Sequence, residues 1–154
     1  MARISIGIKA PQFSLPDGDG KYYSLKQFLG KKVILYFYPQ DDTETCTAQA
    51  CSFRDRLSEF EQHGAQLLGI SPDDVKSHKK FSLKYGLNFP ILSDEDKNVM
   101  NAYGVWKKKL MFGKKYMGVI RTTFIINEKG SISHIFPKVR IKNHADKILE
   151  VISQ

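Results

Sequence analysis

Two cysteines, Cys46 and Cys51, are the residues whose type and spacing point most directly to chemistry, and they are the only cysteines in the chain. An apolar, β-prone run ends at Pro39, and a helical pattern begins near Thr43. Cys46 therefore falls in the first turn of a helix that follows a strand. There, unpaired backbone N–H groups and the positive end of the helix dipole favour a thiolate over a thiol. Because the thiolate is the nucleophile, the sequence predicts a reactive cysteine at this position.

Helix geometry restricts how the two cysteines can react with each other. Cys46 heads an apolar stripe, whereas Cys51 is rotated away from it by about 140° toward the polar side of the helix. The stripe consists of Cys46, Ala50, Phe53, Leu57 and Phe60. In an intact helix the two Cα atoms would lie about 8 to 9 Å apart, beyond the roughly 7 Å that a disulfide tolerates. The thiols can bond only if the first helical turns unwind, which suits a disulfide made and broken in each catalytic cycle.

The stretch around Cys46 resembles the peroxiredoxins, and most closely their peroxiredoxin Q or bacterioferritin comigratory protein branch. The family pattern Pro-x-x-x-Thr/Ser-x-x-Cys reads here as Pro39, Thr43 and Cys46, and the branch adds the second cysteine, Cys51. Further along, Arg121 opens an Arg-Thr-Thr-Phe run that is similar to a later signature of the branch. The resemblance extends over nearly the whole chain.

The resemblance implies a role for each of these residues. Cys46 would be the peroxidatic cysteine, which becomes a sulfenic acid, and Cys51 would be the resolving cysteine, which forms a disulfide with Cys46. Thr43 and Arg121 would stabilise the charge that moves across the O–O bond, and Pro39 would shield the thiolate from water. From the residues alone other interpretations stay open. Cys46 could be a buried apolar side chain and Thr43 a helix N-cap. Arg121 could be a solvated arginine, and Pro39 could simply terminate the strand.

Near Cys46 the chain agrees with the branch at one site and departs from it at another. Gln49 stands where the branch carries Glu or Gln, a position that could orient Arg121. Glu44-Thr45 stands where the branch usually carries Pro-Gly before the reactive cysteine. Trp106 is interpreted as a core or loop packing residue, with a role in lining a pocket as the alternative.

The resemblance implies a thioredoxin-dependent peroxidase that reduces hydrogen peroxide and organic hydroperoxides in antioxidant defence. Thioredoxin or a similar dithiol protein would recycle the disulfide, and no metal, haem or flavin cofactor is expected because sulfur carries the redox change. A thioredoxin-like disulfide reductase is the nearest alternative, although that activity typically uses Cys-x-x-Cys. A basic nucleic-acid-binding module is an alternative from another class.

Composition sets the remaining expectations. A length of 154 residues with 42% apolar residues predicts one domain, residues 1–154. The chain lacks an apolar run long enough for a membrane span and lacks a secretory leader pattern, so we expect a cytoplasmic monomer without membrane or nucleic-acid partners. The net charge is +8, and the lysine clusters Lys107–Lys109 and Lys114–Lys115 are interpreted as a solvated loop. The four scattered histidines form no zinc-binding pattern: His63, His78, His134 and His144.

Short β-prone runs alternate with helical patterns along the chain. The predicted strands are Gln12–Leu15, Tyr22–Ser24, Val33–Tyr38, Gln66–Ser71, Thr122–Asn127 and Ser131–Phe136. The predicted helices are Thr45–Glu61, Asp74–Tyr85, Lys97–Tyr103 and His144–Ile152. Asp17–Gly20 and Asn127–Gly130 have the composition of hairpin turns. This order predicts an α/β protein with a mixed central sheet flanked by helices and an N-terminal hairpin, and the resemblance implies a thioredoxin-like fold.

Overall fold

A computed structural model of the chain describes residues 3–154. Its strands are β1 (Ser14–Pro16), β2 (Tyr22–Ser24), β3 (Lys32–Phe37), β4 (Ala65–Ser71), β5 (Ile91–Ser93), β6 (Trp106–Met111), β7 (Lys114–Val119), β8 (Thr122–Ile126) and β9 (Ile132–Phe136). Its α-helices are α1 (Glu44–Gln62), α2 (Val75–Tyr85), α3 (Asn98–Ala102) and α4 (His144–Ile152), and a 3₁₀ helix covers Leu25–Phe28. Among the described residues, no helix is both long and apolar enough to cross a membrane.

The central sheet has five strands in the order β5-β4-β3-β8-β9. Strands β3, β4 and β5 run parallel, whereas β8 is antiparallel to both β3 and β9. A separate antiparallel pair, β1 and β2, forms the N-terminal hairpin. The predicted mixed sheet with flanking helices and the predicted thioredoxin-like fold are therefore confirmed.

Alternation along β3 divides the core into two layers, one on each face of the sheet. The layer beneath α1, α2 and α4 contains Ile34 and Tyr36 of the strand, Phe53 of α1, Phe81 of α2 and Ile148 of α4. The opposite layer contains Leu35 and Phe37 of the strand together with Met100 of α3 and Val119 of β7. Because β3 is central and buried on both faces, it reads as a continuous apolar run in the sequence.

Every predicted strand and helix exists, with ends that shift by at most two residues. The sequence interpretation missed β5, which has only three residues, and it missed both β6 and β7. The interpretation of the lysine-rich segment as a loop is wrong, because its two halves form an antiparallel hairpin. The register runs from Trp106↔Val119 to Met111↔Lys114. Both of its faces are largely exposed, so no alternation of apolar and polar residues marks it as a strand.

Candidate active site

Cys46 lies in the first turn of α1, where the chain leaves the end of β3 and turns into the helix. It is only 2% exposed and packs in the same apolar layer as Ala50 and Phe53. Thr43 occupies the N-cap position with extended backbone (φ −86°, ψ 158°). The first backbone N–H groups of α1 have no partner within the helix, so they present partial positive charge beside the sulfur.

Arg121 provides a full positive charge at the same sulfur. Its Nη2 donates to Cys46 Sγ at 3.1 Å, and its Nη1 donates to Gln49 Oε1 one helical turn further along. Antiparallel pairing places it there, since Phe37 at the end of β3 lies opposite Thr122 at the start of β8. The structure thus brings together two residues 75 positions apart, and the amide of Gln49 holds the guanidinium against the thiol.

Thr43 and Pro39 belong to the loop between β3 and α1. The Thr43 hydroxyl donates to the backbone carbonyl of Gln40 at 3.1 Å and makes no capping hydrogen bond to the helix. The interpretation of Thr43 as a side-chain N-cap is therefore wrong, although the residue occupies the N-cap position. Thr43 is exposed and Pro39 is half-buried.

Cys51 lies on the same helix but away from the buried stripe. It is half-buried, and both cysteines are free thiols within one continuous helix, Glu44–Gln62. A continuous helix between them keeps the two Cα atoms about 8 to 9 Å apart, which excludes a disulfide in this conformation. The predicted placement of both cysteines on one helix, one buried and one more exposed, is confirmed.

A buried polar network around Asp41 was not predicted from the sequence. The Asp41 carboxylate accepts hydrogen bonds from Tyr38 (2.6 Å), Ser77 (2.8 Å) and His78 Nδ1 (2.7 Å), and its backbone N–H donates to Asp73 (2.8 Å). Burial raises the pKa of Asp73. These contacts fix the loop that precedes Cys46 onto the N-terminal end of α2. The only sign of this network in the sequence is the run of capping residues before α2. That run does not reveal that Asp41 is their partner.

The ligand atoms of Asp41, Asp73 and His78 lie within 4.8 Å of one another, a spacing that a metal ion could use. The same carboxylate oxygens, however, accept hydrogen bonds from His78, Ser77 and a backbone N–H. The cluster thus forms a hydrogen-bonded network that fastens the loop, and within it His78 Nε2 is buried without a hydrogen-bond partner among residues 3–154.

Two buried rings complete the surroundings of the thiol. Tyr36 lies opposite Gly69 on the neighbouring strand, where an added Cβ would come within 2.9 Å of the ring. Burial raises the pKa of Tyr36 well above its usual value, and negative charge on Cys46 raises it further. His144 at the start of α4 forms a 2.9 Å hydrogen bond with Thr123, and burial, with Lys147 and Arg121 adding to it, lowers the pKa of His144 to about 4. Arg121 is therefore flanked by a neutral imidazole, not by a second cation.

This arrangement suits nucleophilic attack by sulfur on a small polarised bond. A thiolate at Cys46 would receive a charge-assisted hydrogen bond from Arg121, and the same guanidinium and the helix N-terminus face any negative charge that develops beside the sulfur. The buried position limits competing water. Reaction of Cys46 with Cys51 would require the helix between them to open.

Comparisons with known proteins agree with this chemistry. The AhpC/TSA family pattern matches residues 6–135. The bcp peroxiredoxin of Coxiella burnetii is 51% identical over 146 residues, which cover 95% of this chain and 97% of that protein. Peroxiredoxin Bcp of Escherichia coli is 42% identical and covers 100% of this chain and 99% of its own.

Solved structures give the same answer for the fold. A Xanthomonas campestris bacterioferritin comigratory protein superposes with a TM-score of 0.90 at 35% identity, covering 97% of this chain and 98% of that chain. A cysteine-to-serine mutant of Xylella fastidiosa PrxQ superposes with a TM-score of 0.93 at 30% identity, covering 99% of this chain and 98% of its own. The chain belongs to the AhpC/TSA family and, within it, to the peroxiredoxins of the Bcp and PrxQ kind, which are thiol-dependent peroxidases.

Proposed function

We propose that Cys46 is the peroxidatic cysteine of this peroxidase. The observation that carries the proposal is the 3.1 Å contact between Arg121 Nη2 and Cys46 Sγ in the first turn of α1. The thiolate attacks the terminal oxygen of a hydroperoxide, the O–O bond breaks, and the leaving oxygen takes a proton to depart as water or an alcohol. The sulfur is oxidised to a sulfenic acid, and the peroxide is reduced.

Arg121, Thr43 and the backbone N–H of Cys46 would act together on the peroxide oxygens. The guanidinium of Arg121 carries five N–H donors in a planar fork and has donors left for an incoming oxygen. The Thr43 hydroxyl now bonds to a carbonyl in its own loop, and a rotation about its side chain would point it toward a bound oxygen. Pro39 would restrict the access of water to the thiolate.

Cys51 would resolve the sulfenic acid. Its thiolate attacks the Cys46 sulfur, a disulfide forms, and the sulfenic oxygen leaves as water. Because the intact helix holds the sulfurs apart, the first turns of α1 must unwind before this step. An external dithiol protein, thioredoxin or one like it, would then reduce the disulfide and let the helix reform. We also propose that the enzyme works as a monomer.

Peroxide consumption coupled to a thioredoxin system tests this assignment. Cys46→Ser should abolish turnover, since a hydroxyl is a far weaker nucleophile near neutral pH. Cys51→Ser should complete one reaction with peroxide and then stall, with sulfenic acid trapped by a dimedone probe. Full thioredoxin-linked turnover by Cys51→Ser would show that another thiol resolves the intermediate, and residual turnover by Cys46→Ser would remove Cys46 from the proposed role.

A further inference from the structure

The β6–β7 hairpin exposes apolar side chains at its outer end. Those side chains are Leu110, Met111, Phe112, Tyr116 and Met117. Phe112 is 98% exposed and Leu110 is 70% exposed, and the hairpin forms a two-stranded sheet separate from the central one. Contiguous exposed apolar surface of this kind marks a site of interaction.

The turn at the tip of the hairpin contains an aromatic residue, Phe112, at a position where the backbone conformation disfavours one. Phe112 and Gly113 form the two-residue turn between the paired residues Met111 and Lys114, and both have positive φ, 51° and 77°. Turns of this kind favour Asn, Asp or Gly at the first central position, because a bulky side chain is strained there. Phe112 is strained and also makes almost no contact with the rest of the protein, so its ring is available for something outside the chain.

Positive charge surrounds these apolar residues. Residues 106–119 contain five lysines and no acidic residue, so this segment has a formal charge of +5. The net charge of the whole chain is +8. Lys109 folds back, donating to the Val119 carbonyl at 3.0 Å and lying over the Tyr116 ring. The other four take part in no ion pair among residues 3–154, and they are Lys107, Lys108, Lys114 and Lys115.

We propose that the hairpin tip docks the protein onto the surface of an anionic lipid bilayer. Phe112 and its apolar neighbours would enter the headgroup region, and the lysines would lie at the level of the lipid phosphates. The contact is peripheral and needs no membrane-spanning segment. It departs from the expectation from sequence alone that the protein has no membrane partner, and it does not depend on the chemistry of Cys46.

The distribution of the apolar residues favours a bilayer over other partners. In the hairpin register, Leu110 and Met117 lie on one face, Met111 and Tyr116 lie on the other, and Phe112 lies at the end. A protein partner would cover one face and leave the other in water, whereas a lipid interface surrounds an inserted tip on all sides. A second copy of the chain would bring the lysines of two hairpins together, and their charges would repel. Nucleic acid would contact the lysines and leave the apolar residues at the tip exposed to water.

Co-sedimentation with lipid vesicles tests the proposal. The wild-type protein should bind vesicles made of equal parts phosphatidylcholine and phosphatidylglycerol, and it should bind vesicles of phosphatidylcholine alone far more weakly. Phe112→Asn should weaken binding on the order of tenfold, because the ring no longer leaves water. Asn-Gly is a favoured pair for this turn, so the variant hairpin keeps its fold. Lys108→Glu with Lys115→Glu should weaken binding by about 30-fold or more, at roughly fivefold for each lysine removed.

Matched controls separate the hairpin from general charge and apolarity. Leu83→Asn removes another exposed apolar side chain, 74% exposed on α2, and should leave vesicle binding unchanged. Lys26→Glu with Lys129→Glu makes the same change in charge on exposed lysines elsewhere and should weaken binding far less than the hairpin pair. The proposal is overturned if either control matches its hairpin variant, if wild type ignores anionic vesicles, or if duplex DNA or polyglutamate binds the hairpin more tightly than the vesicles do.

Discussion

Replacing Arg121 with alanine removes the one guanidinium that contacts the Cys46 sulfur in the described part of the chain, and we expect it to slow the reaction with peroxide. The contact is 3.1 Å long, and it is lost together with the bond to Gln49. In other enzymes, removal of a single preorganised donor to developing negative charge costs about 10² to 10³ in rate, or roughly 3–4 kcal/mol. We expect a decrease of that size in the second-order rate constant for sulfenic acid formation.

Arg121→Ala should also lower the stability of the fold. The Gln49 side chain is buried, its Nε2 already lacks a partner among residues 3–154, and its Oε1 would lose the arginine as well. An unsatisfied buried polar atom costs about 1–3 kcal/mol, so the melting temperature should fall by several degrees. Arg121→Lys should give an intermediate rate, since an ammonium restores charge but cannot contact both Gln49 and the sulfur as a planar fork does.

The assay is rapid-quench trapping of the sulfenic acid in a Cys51→Ser background, which isolates the first chemical step from recycling. Arg56→Ala serves as the control, because Arg56 lies further along α1 and makes exposed contacts with Glu59 of the same helix and Asp146 of α4. That variant should keep the wild-type rate and lose at most about 1 kcal/mol of stability. If Arg121→Ala reacted with peroxide at the same rate as Arg56→Ala, Arg121 would not act on the reacting atoms.

Three other predictions follow from the same structure. On oxidation, amide hydrogen exchange should speed up in residues 44–52 and stay unchanged in Thr122–Ile126, and equal protection of α1 in both redox states would contradict the unwinding step. The pKa of His144 is about 4 in the folded protein and 6.5 in the unfolded chain. Between pH 4 and pH 6.5, unfolding therefore takes up a proton at this residue. The free energy of unfolding should therefore fall, by on the order of 3 kcal/mol, as the pH drops through this window. Urea titrations should show a smaller fall for His144→Gln and an unchanged one for the exposed-site control His63→Gln. Asp41→Asn should lower the free energy of unfolding by roughly 1–3 kcal/mol, because three donors lose their carboxylate, and should slow peroxide reduction. The control Asp42→Asn, at an exposed site, should change the free energy of unfolding far less.

Local signals were sufficient to place Cys46 and Cys51. Chain order, helical periodicity and the change of composition after Pro39 gave the first turn of α1, and rotation by 100° per residue gave the difference in burial between the two cysteines. Arg121 is different, because its distance from Cys46 depends on the pairing of β3 with β8, which no local pattern specifies. Only the family resemblance pointed to it.

The missed features share a physical cause. The contacts of Asp41 with Ser77 and His78 join a loop to a helix that lies 36 and 37 residues further along, and each residue taken alone reads as an ordinary polar position. The β6–β7 hairpin has solvent on both faces, so burial imposes no alternation on its sequence. Periodicity detects elements that bury one side, and it does not detect those that bury neither.

The continuity of α1 through both cysteines also affects the energy of electron transfer. In the proposed cycle the helix between Cys46 and Cys51 is intact only in the dithiol form, so every interaction that stabilises its first turns favours the reduced protein. Each kcal/mol of that stabilisation raises the reduction potential of the disulfide by about 20 mV. In that cycle the contact of Arg121 with Cys46 and the burial of Ala50 would therefore make the disulfide a stronger oxidant, which the proposed dithiol reductant would reduce more readily. The same interactions slow the opening that lets Cys51 react, so the local stability of one helix sets a balance between easy recycling and exposure of the sulfenic acid to a second peroxide.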